Sequence, residues 1–241
     1  ILSLSYRRGH HILVWPDSHT LSTPDTRIEI GHARMRASLV TSGEAERIER
    51  ATLVAENLRL EAGRGAGGEA TTAERAQLSL ELIPTETARY RLALDVDRLA
   101  LPSAADIGTL DTDLEIAFER GWDMAALSDA RPQPTEIEIR QADATLGALD
   151  LGAAGRLDVG ASGRPDGELA LKARNWREMI ALAASNGAIP QSLAGSLEQG
   201  LGLLAGVSGR PDTLDVTLDF RGGRTFLGPV PLGPAPVLRI R

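Results

Sequence analysis

The sequence predicts an α+β fold that is mostly β: a curved antiparallel sheet with a C-terminal pair of amphipathic helices packed on it. Three observations support this class. Segments of alternating apolar and polar residues recur along the chain, polar turn clusters separate them, and apolar residues at helical spacing are clearest within 175–204. Alternation with a period of two is typical of antiparallel strands that have one buried and one solvated face.

Successive strands are predicted along most of the chain. Clusters of Pro, Asp, Ser and Thr at 16–18, 22–25 and 84–87 separate them, and these residues favour turns. The segment 102–109 is expected to form a short helix or loop, and 122–127 one helical turn. The predicted strands are 2–6, 11–15, 27–30, 34–40, 51–60, 77–83, 90–96, 111–118, 136–140, 144–151 and 153–159.

The length of 241 residues fits a single elongated β-rich domain over 1–241, with 1–101 and 110–241 as alternative sub-units. One pentapeptide, Ser-Gly-Arg-Pro-Asp, occurs at 162–166 and again at 208–212. Because Gly, Pro and Asp favour tight turns, both copies are predicted to be hairpin turns. The unit 155–236 is therefore predicted to run hairpin, helix, helix, hairpin.

The first helix of this unit carries signals at both ends. Asn175 is a suitable N-cap, Glu178 follows it at the spacing of a capping box, and Gly187 is placed to end the helix. Apolar residues at i, i+3, i+4 and i+7 predict one buried stripe. The stripe is Trp176, Met179, Ile180 and Ala183.

The second helix is predicted to begin at Pro190, a residue that suits a first turn. Gly195, Gly200 and Gly202 lie inside it, and each costs about 1 kcal/mol relative to Ala. We therefore expect another backbone to approach closely, so that this helix lies tightly on the sheet or in its groove. The proline-rich segment 228–236 is expected to run extended along a sheet edge. The aligned leucines of the helix are Leu193, Leu197, Leu201 and Leu204.

The charge balance argues against a nucleic-acid partner. Lys and Arg number 26 against 33 Asp and Glu, a formal net charge of −7, whereas phosphate binding needs a basic face. There is no Cys, which excludes disulfides and thiolate zinc sites. No apolar run approaches the roughly 18 residues of a membrane span. Because the chain begins at Ile1 without an initiator Met, we expect a further segment upstream.

No catalytic residue, metal site or cofactor is predicted. The histidines lack the spacing of a metal site. Residues 63–68 fit Gly-x-Gly-x-x-Gly, but no βαβ unit surrounds them, so a flexible loop is expected. Carboxylates pair at 95/97, 111/113 and 136/138 on predicted strands, which favours a solvated sheet face; acid–base work or Ca²⁺ binding is the alternative. The histidines are His10, His11, His19 and His32.

Arg164 and Arg210 occupy equivalent positions in the two pentapeptides. Arginines suit bidentate contacts with carboxylate or phosphate groups. The pair is therefore a candidate contact for an anionic partner, and two solvated turn arginines are the alternative.

Several runs resemble one bacterial family. The run Asn-Trp-Arg-Glu-Met at 175–179 and the run Leu-Gly-Pro-Val-Pro-Leu-Gly-Pro at 227–234 are similar to the C-terminal signature of the family called domain of unknown function 2125. The resemblance covers nearly the whole chain. Further matching runs lie at 14–16, 35–40, 129–135, 155–158, 201–206 and 220–223.

The resemblance implies an alphaproteobacterial envelope protein with an N-terminal membrane anchor, placed at the periplasmic face of the inner membrane. It implies no catalytic residues. The β-rich layout with amphipathic helices also resembles, more loosely, AsmA-like envelope proteins, whose curved sheets are associated with lipid. This second resemblance implies a sheet groove that shields lipid chains.

Two functions are therefore expected as alternatives, with a hydrolase using the acidic pairs as a third and weaker one. The first is a non-enzymatic envelope protein that binds lipid or another apolar ligand in a sheet groove and supports outer-membrane maintenance. The second is a scaffold that offers a sheet edge or the Pro-rich tail to an envelope protein. Candidate groove or core residues are Leu169, Leu171, Trp176, Ile180, Leu193, Leu197, Leu214, Val216 and Leu218.

Overall fold

The computed structural model of the protein describes residues 2–7, 9–16, 18–22, 27–62, 70–102, 104–127, 130–185, 189, 191–207, 211–228 and 230–240. In these residues, strands predominate and form a curved, unclosed antiparallel sheet, accompanied by two short helices. The predicted mostly-β, antiparallel class is confirmed. The predictions for Gly187, Pro190 and the 63–68 loop lie outside the described residues.

The strands are β1 (Leu2–Arg7), β2 (His10–Val14), β3 (Ser18–Ser22), β4 (Arg27–Gly31), β5 (Arg34–Ser42), β6 (Arg47–Ala62), β7 (Ala70–Leu82), β8 (Arg89–Ala100), β9 (Ile107–Phe118), β10 (Pro134–Leu146), β11 (Leu149–Val159), β12 (Pro165–Arg174), β13 (Thr213–Arg221), β14 (Arg224–Leu227) and β15 (Val230–Pro234). The helices are α1 (Trp176–Ser185) and α2 (Gln191–Val207), and Ala125–Leu127 forms one 3-10 turn.

Sequential strands are neighbours in the sheet at almost every step, but two insertions interrupt this order. The β3–β4 hairpin lies between β2 and β5 in the chain, and β4 pairs with the second half of β6 beyond the point where β5 stops. The helix pair α1–α2 is inserted between β12 and β13, which pair directly with each other. In chain order this region runs β11, β12, α1, α2, β13 and β14.

Two local predictions in this region are wrong. The segment 144–151 is not one strand, because a turn at Gly147 separates β10 from β11. Gly147 has a φ of 57°, a conformation that favours glycine. The first pentapeptide does form the β11–β12 hairpin turn, but the second lies between α2 and β13, so it joins a helix to a strand. The same five residues therefore serve two different connections.

The register of the strands sorts their side chains onto two faces. Residues directly opposite each other share a face, and Leu78 lies opposite Leu94, which lies opposite Thr112. The intervening partners on the other face are charged or polar, such as Gln77 and Asp95. We call these the apolar face and the charged face. The alternation that runs through the sequence thus becomes one sheet with two chemically distinct sides.

We call the end of the sheet where the β7–β8 and β13–β14 turns lie its lower end. There the segment 119–127 crosses the ends of strands β7–β9. Tyr90 and Phe118 are buried there with Leu82, and Trp122 packs against them. The Trp122 amide donates a hydrogen bond to Tyr90 Oη (3.0 Å), and the Ile48 amide donates to the Trp122 carbonyl (2.8 Å). These bonds fix the crossing segment across the strand ends.

The C-terminal tail closes the same end beneath β11–β14. After edge strand β15, which agrees with the predicted course of the proline-rich segment, the chain turns across the strand ends. The Ala235 amide donates to the Gly223 carbonyl (2.9 Å) and the Leu238 amide to the Gly163 carbonyl (2.7 Å). Ala235 is buried with Leu157 and Phe220. We call 119–127 and 235–240 together the lower belt.

A third buried cluster lies at the opposite, upper end. Trp176 and Ile180 of α1 and Leu201 and Ala205 of α2 form one cluster with residues of two strands. Both helices therefore share side-chain contacts with the sheet at this end. How the pair as a whole lies on the sheet stays a prediction. The strand residues of the cluster are Ala173 and Leu214.

Candidate functional site

The candidate site is the part of the apolar face between the lower belt and the helix pair. Its residues belong to none of the three buried clusters described above, and each keeps part of its side chain exposed. Leucine and isoleucine side chains in contact with water lose the free energy that burial would provide, about 25 cal/mol per Å². We call this region the open apolar face; it comprises Leu53, Leu78, Leu92, Leu94, Leu114, Ile137, Ile139 and Leu171.

A cavity of about 480 Å³ lies against α2. It lies between that helix and strands β13–β15, and its apolar lining includes Leu197, Leu201, Val216, Leu227 and Leu232. Its volume falls in the range of small-molecule pockets, about 300–1,000 Å³. An apolar ligand held here would contact both a helix and the sheet.

A smaller cavity of about 270 Å³ lies on the other side of the helix pair, beneath α1. Met179 and Leu182 of α1 face the upper parts of β8–β11, including Leu110 and Leu151. The helix pair is therefore flanked by apolar space on both sides, with the buried cluster between the two cavities.

The structure divides the predicted groove residues into two groups. Trp176, Ile180 and Leu214 are 0%, 5% and 3% exposed, respectively, so they are core. The side chain of Leu193 lies outside the described residues. The partly buried members, on the apolar face or in the α2 cavity, are Leu169, Leu171, Leu197, Val216 and Leu218.

The inference drawn from the helix glycines is wrong. A Cβ added to Gly195 or Gly200 would meet no atom within 4 Å, and one added to Gly202 would meet only side-chain atoms at 3.9 Å. No backbone approaches these positions in the described residues. Gly200 instead lines the α2 cavity, so the missing side chain contributes open space to that cavity.

The Asn-Trp-Arg run has a structural role that sequence reasoning missed. The Asn175 amide donates to the Asp212 carbonyl (2.8 Å), and Trp176 Nε1 donates to the Pro211 carbonyl (3.0 Å). The Arg177 guanidinium lies 4.5 Å from the centre of the Trp176 ring and 3.6 Å from an Asp212 carboxylate oxygen. The start of α1 is thereby tied to the segment that follows α2, a contact between residues more than thirty positions apart.

Arg164 contacts the protein's own backbone. Its Nη1 donates to the carbonyls of Ala235 (3.0 Å) and Gly223 (3.3 Å). The side chain thus holds the tail against the β13–β14 turn. Arg210 lies outside the described residues, so the twinned anion contact stays a prediction.

The acidic pairs lie on the charged face. Asp113 accepts two hydrogen bonds from Arg91 (2.8 and 2.7 Å), and these hold its pKa below the usual range. Glu136 accepts a hydrogen bond from Arg89 (2.7 Å), which is the main cause of its lowered pKa. These carboxylates therefore form cross-strand ion pairs with arginines of the sheet.

Asp95 differs from these carboxylates because it lies opposite another acid. Its cross-strand partner is Asp111, and burial, the hydrogen bond between the two side chains and their mutual repulsion raise the pKa of Asp95. The pair lies on a sheet face among other charged residues. In the described part of the chain, the Asp95–Asp111 pair does not line a cavity in which an acid and a base meet.

The sequence matches the model of one protein family. The model described as "Uncharacterized protein conserved in bacteria (DUF2125)" matches residues 1–236.

The chain belongs to the DUF2125 family. No curated protein and no solved structure matches it. The expected family membership is confirmed, and the family's description assigns no activity that this DUF2125 chain would inherit. Its function has to be argued from its own geometry.

Two further features are absent from the described part of this DUF2125 protein. No group of three or more His, Asp and Glu side chains there has the arrangement of a metal centre. Neither α1 nor α2 is long and apolar enough to cross a membrane.

Proposed function

We propose that this DUF2125 protein is a non-enzymatic envelope protein that holds a lipid or another apolar ligand against the open apolar face. In this proposal it acts at the periplasmic face of the inner membrane and supports maintenance of the outer membrane. The observation that carries the binding function is the set of leucines and isoleucines that the sheet aligns on one face and leaves partly exposed. The location follows from the family resemblance alone.

The energetic argument starts from the cost of that exposure. Large contiguous apolar surfaces on soluble proteins mark sites for partners or ligands. Here the surface continues from β6 to β13 without a change of face, since each of its leucines and isoleucines lies opposite an apolar residue on at least one neighbouring strand. An elongated, flexible apolar chain fits such a surface better than a compact ligand.

The helix pair has a part in this proposal. We infer that it packs on the sheet as a fixed cover at the upper end of β11–β13, where Trp176 and Leu214 are buried together. The α2 cavity would then take the end of an apolar chain that lies along the open apolar face. The lower belt bounds the opposite end.

The scaffold alternative has weaker support. A tail offered to a partner would need to be free, whereas Ala235 and Leu238 hydrogen-bond to two turns of the sheet. Edge strand β15 also contains Pro231 and Pro234, and prolines lack the amide donor that strand addition uses. Both features make the C-terminal edge a poor template for another strand.

The test compares neighbouring positions on opposite faces. Leu171→Glu places a charge on the apolar face, and Ala170→Glu places the same charge one residue away on the charged face. We expect the wild type and Ala170→Glu to bind pyrene-labelled phosphatidylglycerol with similar affinity, and Leu171→Glu to bind at least tenfold more weakly. Circular dichroism checks that both variants are folded.

A second pair of variants tests the cavity. Gly200→Leu adds a side chain that has room within the α2 cavity, and Gly195→Leu adds one outside it. Both remove a helix glycine and should stabilise α2, so a weaker signal in Gly200→Leu alone reports a filled cavity. Absence of probe binding by the wild type, or equal binding by Leu171→Glu and Ala170→Glu, would overturn the proposal.

A further inference from the structure

Two histidines lie in contact at the other end of the sheet, far along the chain from the helix pair. His19 is in β3 and pairs with Ile30 of β4, and His32 follows directly after β4. Their ring centroids are 5.5 Å apart, with the ring planes inclined by 61°. The β3–β4 hairpin therefore brings two imidazoles together from positions thirteen residues apart in the sequence.

These imidazoles have buried nitrogens without partners. His32 is 7% exposed, and neither of its ring nitrogens has a hydrogen-bond partner among the described residues. The buried Nδ1 of His19 has none there either. A buried polar atom left unsatisfied costs about 1–3 kcal/mol, and most such atoms in folded proteins have a partner. Three of them at one contact make this histidine pair a candidate ligand site.

The geometry of the pair favours a metal ion. Imidazole nitrogens bind Zn²⁺ at about 2.0–2.1 Å, so two histidines on one tetrahedral ion have ring centroids on the order of 5 Å apart. The observed separation is close to that value.

The neighbouring carboxylates do not offer a competing explanation. Glu29 pairs with Thr20, one residue out of step with His19, so it lies on the other face of the hairpin. Glu61 is paired with Arg59 at 2.6 Å. An ion pair between an acid and protonated His19 is therefore not supported by the register.

We propose that His19 and His32 together bind one divalent transition-metal ion of the Zn²⁺ class, with water completing its coordination. Imidazole ligands suit Zn²⁺, Cu²⁺ and Ni²⁺, whereas Mg²⁺ and Ca²⁺ prefer oxygen. The site is independent of the open apolar face. It would stabilise the β3–β4 hairpin, since an ion that binds only the folded chain shifts the equilibrium towards it.

The test uses isothermal titration of the chelator-treated full chain with ZnCl₂ alone. We expect one ion per chain, and at least tenfold weaker binding by His19→Ala and by His32→Asn. His10→Ala is the control, because His10 Nε2 lies 2.9 Å from Ser38 Oγ and is not part of the pair.

Each other outcome counts against the site. If the wild type takes up no Zn²⁺, the nitrogens are satisfied by water and the proposal is wrong. Retained binding in His19→Ala and His32→Asn would place the ion elsewhere. If His32→Asn fails to fold, His19→Ala carries the test, because His19 is only partly buried.

Discussion

Strand β8 contains both kinds of environment that the apolar face provides. Tyr90, at its lower end, is 0% exposed beneath the lower belt. Leu92 and Leu94, two and four residues further on the same face, stay partly exposed. All three positions belong to one alternating pattern, so the pattern does not separate core from open surface. What separates them is whether another segment crosses the strand at that level.

The covered ends and the open part of the apolar face are therefore expected to have different roles. The covered ends contain the fully buried aromatic residues Tyr90 and Trp176 and should hold most of the packing energy. In the proposed function, the open apolar face between them contributes less to stability and more to binding. Changes at covered positions should therefore unfold the protein, while changes at open positions should alter ligand binding.

The largest expected effect contrasts Trp176→Ala with Leu92→Ala. Removing the buried indole leaves a cavity and takes away one of the two hydrogen bonds that the Pro211 carbonyl accepts. It should lower the free energy of unfolding by about 3–5 kcal/mol. Truncating Leu92, which already contacts water, should cost on the order of 1 kcal/mol. Urea unfolding followed by circular dichroism measures both. Equal losses would show that the open apolar face is as tightly packed as the core.

An intermediate effect is expected for Arg164→Ala, which removes the two hydrogen bonds to the tail. Each bond contributes about 0.5–1.5 kcal/mol, so the tail should open more often. Limited proteolysis near 235–240 should speed up, while the sheet's unfolding midpoint falls only slightly. Arg140→Ala is the control, since Arg140 pairs with Glu115 (2.8 Å) on the charged face. Unchanged cleavage in Arg164→Ala would mean that the backbone bonds alone hold the tail.

The smallest effect is expected on the charged face behind the open region, at Asp95. Its pKa is raised by burial and by Asp111, so the folded state binds this proton more tightly than the unfolded state does. The resulting stabilisation is present at low pH and is lost as the pH rises through the raised pKa. Asp95→Asn should therefore be slightly more stable than the wild type at pH 7, and this advantage should vanish below about pH 4.

For Glu136→Gln we expect the opposite change in stability at neutral pH. The pKa of Glu136 is lowered, chiefly by Arg89, so its contribution to stability is present at neutral pH and is lost as the pH falls through the lowered value. This variant should be less stable than the wild type at pH 7, and the difference should shrink in acid. Thermal unfolding at several pH values checks both variants. Shifts of the same sign would contradict the assigned environments.

The sequence predicted local features well where neighbouring residues decide them. The alternation fixed the strands of the central sheet, and Asn175 was correctly placed just before α1. Its predicted side-chain cap was not observed, because Asn175 has a φ of 55° and its side-chain amide donates to the Ala148 carbonyl. The turn at Gly147 was missed because apolar residues continue on both sides of it.

The candidate site was only partly predictable, because contacts between distant residues decide which apolar positions are covered. Leu171 and Val216 were chosen from alternation and do lie on the apolar face, yet Leu214, with the same pattern, is buried core. The open leucines of β6–β9 were not singled out. They are recognisable only once the lower belt and the helix pair are seen to cover other positions.

The sequence by itself determined that the chain forms amphipathic antiparallel strands with a helix pair near its end, since residue periodicity and turn chemistry act over a few positions. Tertiary structure alone decided which part of the apolar face is covered. That coverage depends on contacts such as Trp176 with Pro211 and Gln133 with Ile240, which join residues distant in the sequence. No local pattern records those contacts, because their free energy exists only when both segments are in place.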